Sequence, residues 1–395
     1  MTFMLASVTG PQEADIAVRH GADIVDLKDS GSAFGAVALE AVQATVKALA
    51  RKRPVSAVVG ELKMDPEIMV RAASAVADTG ADYVKVGLYP DHRREACIRA
   101  LSSLARRVGL IGVMFADRGA DAALVPLMAE NGFAGAMVDT ARKSGGRLLD
   151  HMDITVLGNF VDAARAHGMM AGLAGSLEAP DIPRLLLLAP DVLGFRRALC
   201  AGEDRTSAID GDAGDVVRAL IPVDPRRIDA GAEASPKVDY RLLAARGYSI
   251  DPNKDDADAD RIFVRDFVLP VRIGAYARER DKAQNVRFNV EAKVLRPDHL
   301  AEDIRDVFSY DLITDSIRMI VAQEHIALVE MLAERIAALI LIHPRAASVM
   351  VRVEKLEIGP GASGVEIVRQ RPAEVARVHQ LYPAAADAAN PKVAT

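Results

Sequence analysis

The sequence predicts an α/β chain: a closed (β/α)8 TIM barrel followed by a smaller α+β domain built on an antiparallel sheet. Three observations predict it. Eight short apolar runs alternate with amphipathic stretches over roughly the first 220 residues. Several of those stretches end in a glycine just ahead of the next run. Beyond a segment rich in Pro, Asp and Ala the rhythm changes to period-two alternation, the pattern of strands with one covered face.

The eight runs are FMLASV, DIVDLK, VSAVVG, DYVKVGL, GLIGVMFA, GAMVDTA, MMAGLAG and VLGFRR. Each has the length of a buried strand and is bounded by turn residues. LEAVQATVKALARKR and PEIMVRAASAVADTG read as helices between them. In HGADIV, TGADYV, NGFAGAM and HGMMAGL a glycine stands where a helix ends and a strand begins, the expected C′ position. Eight βα units in this length give a barrel over residues 1–222. An open doubly wound sheet is the competing arrangement, and the lack of GxGxxG after the first run counts against its dinucleotide-binding form.

Residues 223–258, containing VDPRRIDAGAEASPKVD and DPNKDDADAD, have weak periodicity and read as a linker. A second domain is expected over 259–372. Two alternating runs, RIFVRDFVLPVRIGAY and NVRFNVEAKVLR, come first. Two helical stretches, YDLITDSIRMIVAQEH and LVEMLAERIAALILIH, follow, and the strands SVMVRVEKLE and GVEIVRQ close the domain. That order implies an antiparallel sheet with helices on one face. The tail, 373–395, reads as disordered.

Composition narrows the function. Half of the 395 residues are hydrophobic, enough for two cored domains, and the net charge is −6. Aromatics make up 4% with no Trp, which argues against a nucleic-acid partner. The two cysteines form no CxxC, which fits a reducing compartment. The N-terminus has no basic region of the signal-peptide kind, and no apolar run approaches a membrane span. A soluble, cytoplasmic protein without a membrane partner is expected. The eight histidines are scattered, so no metal or other cofactor is demanded.

The chemistry starts from two lysines. Lys28 ends DIVDLK and Lys85 lies inside DYVKVGL, both on strands expected to be buried. An ammonium there must be paired, snorkelled or chemically employed. Asp26 shares the strand face of Lys28. Barrel enzymes carry their chemistry at the C-terminal strand ends. Those ends read Asp26, Lys28, Glu61, Lys85, Asp117, Asp139, Ser176 and Arg196. Such a mouth suits an anionic carbonyl substrate: one amine forms an iminium, and a second ammonium lowers the pKa of the first and relays protons. Gly175, Ser176 and Arg196 follow the seventh and eighth strands, where barrels often hold phosphate. Each residue also has a plainer reading. Lys28 would pair with Asp26, Lys85 would snorkel, Asp139 would cap a helix, and Arg196 would be an ordinary salt-bridge donor. The convergence of all of them on one mouth favours chemistry.

The segments GADIVDLKDS, VSAVVGEL, ADYVKVGLY, MVDTARKSGGRLLD, GLAGSLEAPDI and LGFRRALCAGEDR resemble, in order, the (5-formylfuran-3-yl)methyl phosphate synthases of methanofuran biosynthesis. The resemblance implies a class I aldolase-like barrel, a lyase that condenses two molecules of glyceraldehyde 3-phosphate with loss of one phosphate and water. It implies Lys28 as the Schiff-base lysine and Lys85 as acid/base. The DxK and DTAxK motifs assign further site roles to Asp26, Asp139 and Lys143. Where the family often has glycine after the eighth strand, this chain has Arg197. Other Schiff-base barrels act on sugar phosphates and keto acids with similar residue types, so a different carbonyl substrate is a competing reading.

In the second domain, Glu279, Tyr310, Glu330 and Lys355 are the polar residues of interest. A carboxylate would accept two N–H bonds from a guanidine-like edge, and Tyr and Lys would handle protons. GPGASG lacks the GKS/T of a P-loop and reads as a hairpin turn. The order IGAYxxER, SYD, LVExLAERIA, VxVxK, GVxIxR resembles the dihydroneopterin aldolases. The resemblance implies a T-fold subunit in homo-oligomers, tetramers or octamers, with sites shared between subunits. It implies Glu330 as pterin anchor, Tyr310 and Lys355 as acid/base, and Glu279 near the site of a dihydropterin substrate cleaved without a Schiff base. The family usually has KP where this chain has Lys355–Leu356. A T-fold serving only as an oligomerisation scaffold is the alternative.

Overall fold

A computed structural model describes residues 2–221 apart from 33 and 143–144, and residues 259–371 apart from 275–278, 280–281, 297–306, 324, 344 and 358–360. The expectations for the 223–258 linker, the 373–395 tail and Lys143 lie outside the described residues. The described residues fall into two compact units. The first lies within Met1–Asp251 and Pro297–His325, the second within Pro252–Arg296 and Ile326–Thr395.

The first unit is a closed barrel of eight parallel strands: β1 (Phe3–Val8), β2 (Ile24–Leu27), β3 (Val55–Val58), β4 (Tyr83–Gly87), β5 (Gly109–Phe115), β6 (Gly135–Asp139), β7 (Met170–Ala174) and β8 (Val192–Phe195). Each pairs with the next, and β8 pairs with β1. All eight apolar runs became strands. The reason is burial: strands in a barrel are covered on both faces, so they need continuous apolar sequence. The polar residues that interrupt them, Ser7, Asp26, Ser56, Lys85 and Asp139, are buried as well.

Among the described residues, nine helices accompany these strands: α1 (Pro11–Arg19), α2 (Leu39–Leu49), α3 (Pro66–Ala77), α4 (Arg94–Ala100), α5 (Leu124–Glu130), α6 (Leu148–His151), α7 (Ile154–Ala166), α8 (Asp181–Leu186) and α9 (Gly211–Leu220). The α3 helix shows why they form. Asp65 accepts hydrogen bonds from the Glu67 and Ile68 N–H groups, Pro66 occupies the first turn, and Met69, Ala73 and Val76 share the buried stripe. Behind α1 and α3, Gly21 (φ 89°) and Gly80 (φ 87°) adopt the left-handed conformation that ends the helix and starts the strand. The first unit also holds α10 (Tyr310–Gln323), which packs on α7 and α8. There Arg184 Nε donates to the fully buried Asp315 carboxylate at 2.6 Å.

The second unit is an antiparallel sheet in the order β12-β11-β10-β9, with β9 (Ala259–Val271), β10 (Gln284–Leu295), β11 (Ala346–Lys355) and β12 (Ser363–Gln370). The α11 helix (Val329–Leu341) packs on β11 and β12. Burial alternates strictly along the central β10, as its period-two sequence predicts. A register shift between Phe288 and Val290 accommodates Asp266 (φ 51°), whose N–H donates to Asn289 Oδ1 at 2.9 Å. Pro270 lies in the terminal strand β9, which is where a sheet tolerates a missing donor.

Candidate active site

Strand register builds the polar layer of the barrel. Ser7 on β1, Asp26 on β2 and Ser56 on β3 are lateral partners, so three short side chains meet inside the barrel. Ser56 Oγ donates to Asp26 Oδ1 at 2.8 Å, and Ser7 Oγ to Oδ2 at 3.3 Å. The Lys85 ammonium lies 3.0 Å from Asp26 Oδ1, and both groups are almost wholly buried. Lys28, the residue after β2, reaches toward β6 instead: its Nζ is 3.7 Å from Asp139 Oδ2. The ion pair considered between Lys28 and Asp26 is therefore replaced by two crossed pairs, Lys85–Asp26 and Lys28–Asp139. A strand places alternate residues on one face but joins their charges to whatever neighbouring strands present.

The two amines differ in access. A cavity of about 820 Å³ is lined by Lys28, Asp139, Glu61 and Ser176, among others. Lys85 does not line it. It borders a small separate cavity of about 30 Å³ with Tyr83, Ser56 and Met137. Burial pushes the Lys85 ammonium below its ordinary pKa; the neighbouring Lys28 charge adds to this, while Asp26 and Asp139 oppose it. An amine open to a cavity thus sits near a second amine whose pKa lies below the ordinary lysine value.

The loops around the mouth are individually fixed. Asp117, after β5, accepts the N–H groups of Ala141 and Arg142 at 2.6 and 2.9 Å. Burial works against this carboxylate, but those hydrogen bonds hold it below the usual range. It clamps the loop after β6. Gly175 (φ 124°) and Ser176 (φ 49°) follow β7 in consecutive left-handed conformations. A Cβ at Gly175 would meet Thr140 Cγ2 at 2.9 Å, and the positive φ of Ser176 costs about 1–3 kcal/mol. Both line the cavity, where such a turn can present N–H groups to an anion.

The comparisons with known proteins agree with this geometry. Residues 4–218, more than half of the chain, match the profile of the family described as 4-HFC-P synthase. The chain belongs to the 4-HFC-P synthase family. A Methylorubrum extorquens protein, provisionally named (5-formylfuran-3-yl)methyl phosphate synthase, is 42% identical over 209 residues, 53% of this chain and 86% of that protein. The (5-formylfuran-3-yl)methyl phosphate synthase of Methanopyrus kandleri is 36% identical over 216 residues, 51% of this chain and 91% of the relative. Residues 262–368 match the dihydroneopterin aldolase profile. A solved dihydroneopterin aldolase from Burkholderia thailendensis, bound to guanine, is 33% identical and covers 29% of this chain and 94% of its own, at a TM-score of 0.27.

In this synthase-family barrel one expectation needs correcting. Arg196 lines the cavity, but its guanidinium is spent on the protein. Nε donates to the Arg205 carbonyl, Nη1 to the Ser7 carbonyl and Glu13, and Nη2 to Glu13 and the Ser207 carbonyl. Every N–H direction of the fork is used, so the plain salt-bridge reading describes its contacts better than an anion ligand does. Sequence reasoning missed two residues here. Glu13 is the buttress under Arg196, and Arg205 lines the cavity. Arg205 stands in the segment LGFRRALCAGEDR, but nothing local marks its direction.

The aldolase-like residues are less gathered. Lys355 Nζ lies 3.0 Å from Glu279 Oε1, both side chains largely buried, with Gln284 Nε2 a further 3.4 Å donor to the same oxygen. Glu330 is exposed in the first turn of α11. Tyr310 opens α10 and is 62% exposed. Among the described residues no group of His, Cys, Asp and Glu is arranged to hold a metal ion, and no helix is long and apolar enough to cross a membrane.

Proposed function

We propose that the barrel condenses two molecules of glyceraldehyde 3-phosphate into (5-formylfuran-3-yl)methyl phosphate, releasing one inorganic phosphate and two waters, through a Schiff base on Lys28. The observation that carries this reading is the division of labour between the amines: Lys28 opens on the 820 Å³ cavity while Lys85 sits apart in a smaller one. The Lys28 amine adds to a triose carbonyl and expels water. The iminium then accepts the electron pair of the adjacent C–H bond, the resulting enamine expels phosphate from the next carbon, and the enol so formed attacks the carbonyl of the second triose. Asp139, 3.7 Å from Lys28, is placed to move protons at that nitrogen. Lys85, with Asp26 as its partner, takes the acid/base role. Lys143 is assigned to the same mouth by its motif. Hydrolysis of the final iminium returns Lys28.

The test is borohydride trapping with glyceraldehyde 3-phosphate, peptide mapping of the adduct, and an assay for the furan aldehyde. An adduct on another residue, or none, sinks the Schiff-base assignment.

We propose for residues 259–372 the retro-aldol cleavage of dihydroneopterin to 6-hydroxymethyl-dihydropterin and glycolaldehyde. The buried Glu279–Lys355 pair supports this reading, because a lysine held by a carboxylate can donate and recover a proton. Glu330 is the proposed pterin anchor, and the resemblance implies an acid/base role for Tyr310. A second reading has its own observation. The sheet ends in β9 and β12, whose exposed faces include Phe263 and Val368 at 51% and 59% exposure. Open edges of this kind favour pairing with another copy of the chain. Release of glycolaldehyde separates a working aldolase from a scaffold, and light scattering reads the oligomer.

A further inference from the structure

Among the described residues, Arg205 lines the cavity with part of its donor capacity unused. Arg205 follows β8, on the loop between Gly202 and Ser207. One of its Nη groups donates to the Ser32 carbonyl, on the loop after β2, at 2.6 Å. Its Nε is sealed from solvent and has no hydrogen-bond partner. Among the described residues no carboxylate pairs with it. Burial pushes the Arg205 guanidinium below its ordinary pKa; Asp139 and Asp29 oppose this from a distance, without a direct ion pair.

The surroundings hold it there. Arg196 takes the Arg205 carbonyl at 3.0 Å and the Ser207 carbonyl at 2.9 Å. The Asp204 carboxylate accepts Thr206 N–H and Oγ–H at 3.0 and 2.9 Å. Ser32, the anchor of the head group, itself donates through Oγ to Glu61 at 2.6 Å. The loops after β2, β3 and β8 are thereby tied together at the mouth, with the Arg205 fork between them. Lys28 lines the same cavity. Two other cations there face carboxylates: Lys28 faces Asp139, and Arg196 faces Glu13.

We infer that Arg205 is the residue that binds the phosphate of a triose phosphate in this cavity, in the place first expected for Arg196. The Nη N–H groups that the Ser32 carbonyl leaves free are the donors that would meet the phosphate. Arg196 is then a positioning residue, which fixes the Arg205 loop through two backbone carbonyls. The inference rests on the triose phosphate reading for the substrate but not on the Schiff base.

The test compares wild type, Arg205→Gln and Arg205→Lys. Three readouts are used: KM for glyceraldehyde 3-phosphate, borohydride trapping of unphosphorylated glyceraldehyde, and the rise in Tm produced by inorganic phosphate. Arg205→Gln is expected to raise KM roughly ten- to a hundredfold, the scale of a lost charged hydrogen-bond pair. Arg205→Lys recovers part of that. Trapping of glyceraldehyde stays at the wild-type rate, because no phosphate is involved, whereas a merely structural role would slow both aldehydes. The phosphate-dependent rise in Tm disappears in Arg205→Gln. If wild type makes no furan yet its Tm responds to phosphate through Arg205, the substrate reading fails and the anion site stands. If Arg205→Gln keeps the wild-type KM and Tm response, or if wild type shows neither furan nor a response to phosphate, the inference is overturned.

Discussion

The barrel and the antiparallel unit treat buried charge in opposite ways. In the barrel, three charged residues of the mouth are answered from another strand or helix: Asp26 by Lys85, Asp139 by Lys28, Arg196 by Glu13. Closure brings groups from strands that are not neighbours in the sheet, β2 with β4 and β2 with β6, together inside the barrel. In the antiparallel unit the Glu279–Lys355 pair forms beside a sheet with two open ends, and Glu330 lies exposed. A closed sheet can complete a site within one chain. An open one presents part of a site and a surface on which to add more.

The largest effect expected from breaking this contrast is at Lys28. Lys28→Ala should lower furan formation by about a thousandfold or more, near the upper range for a positioned catalytic group. Cleavage of dihydroneopterin should be unchanged. An equal loss of both activities would mean that the two units do not act separately.

Arg196 tests the structural half of the barrel. Arg196→Met leaves Glu13 buried without its partner, and the loss of stability in urea should be about 3–5 kcal/mol. Burial raises the Glu13 pKa, but hydrogen bonds from Arg196 and Thr9 outweigh it and hold the group below its ordinary 4.5. A depressed carboxylate contributes stability above its unfolded pKa and loses it as pH falls through the folded one. The difference between wild type and variant should therefore be full at neutral pH and shrink below about pH 4.5. A variant as stable as wild type at pH 7 would remove the buttress role.

In the antiparallel unit, Lys355→Ala should slow glycolaldehyde release by on the order of a hundredfold, with furan formation intact. Absence of the activity in wild type favours the scaffold reading, and light scattering should then still report an oligomer.

Legibility in the sequence followed the same division. All eight barrel strands were readable, because double-sided burial forces an apolar run at each one. The sheet of the second unit was readable from its alternation. The partners of the charges were not. Arg196 and Glu13 are 183 positions apart, and Arg205 and Ser32 are 173 apart. No local pattern records a contact made by barrel closure. Asp117 was placed at the mouth correctly, but its work on the Ala141 and Arg142 N–H groups depends on the course of the next loop. The packing of α10 on α7 and α8 was equally hidden, since the amphipathic pattern of α10 fixes which face is buried and not what covers it.

The smallest expected effect is the sharpest probe of the crossed pairs. If neutral Lys85 is the base, the ascending limb of kcat against pH reports its titration and lies below the ordinary lysine value of 10.5, since burial and the Lys28 charge both lower it. Asp26 opposes that shift by stabilising the ammonium at 3.0 Å. Asp26→Asn removes the opposing charge while Ser7 and Ser56 keep hydrogen-bonding partners. The limb should then move to lower pH, with kcat reduced through lost positioning. A limb that stays in place assigns the titration to another group. A limb that moves to higher pH reverses the sign of the Asp26 interaction and breaks the pairing from which the two lysine roles were argued.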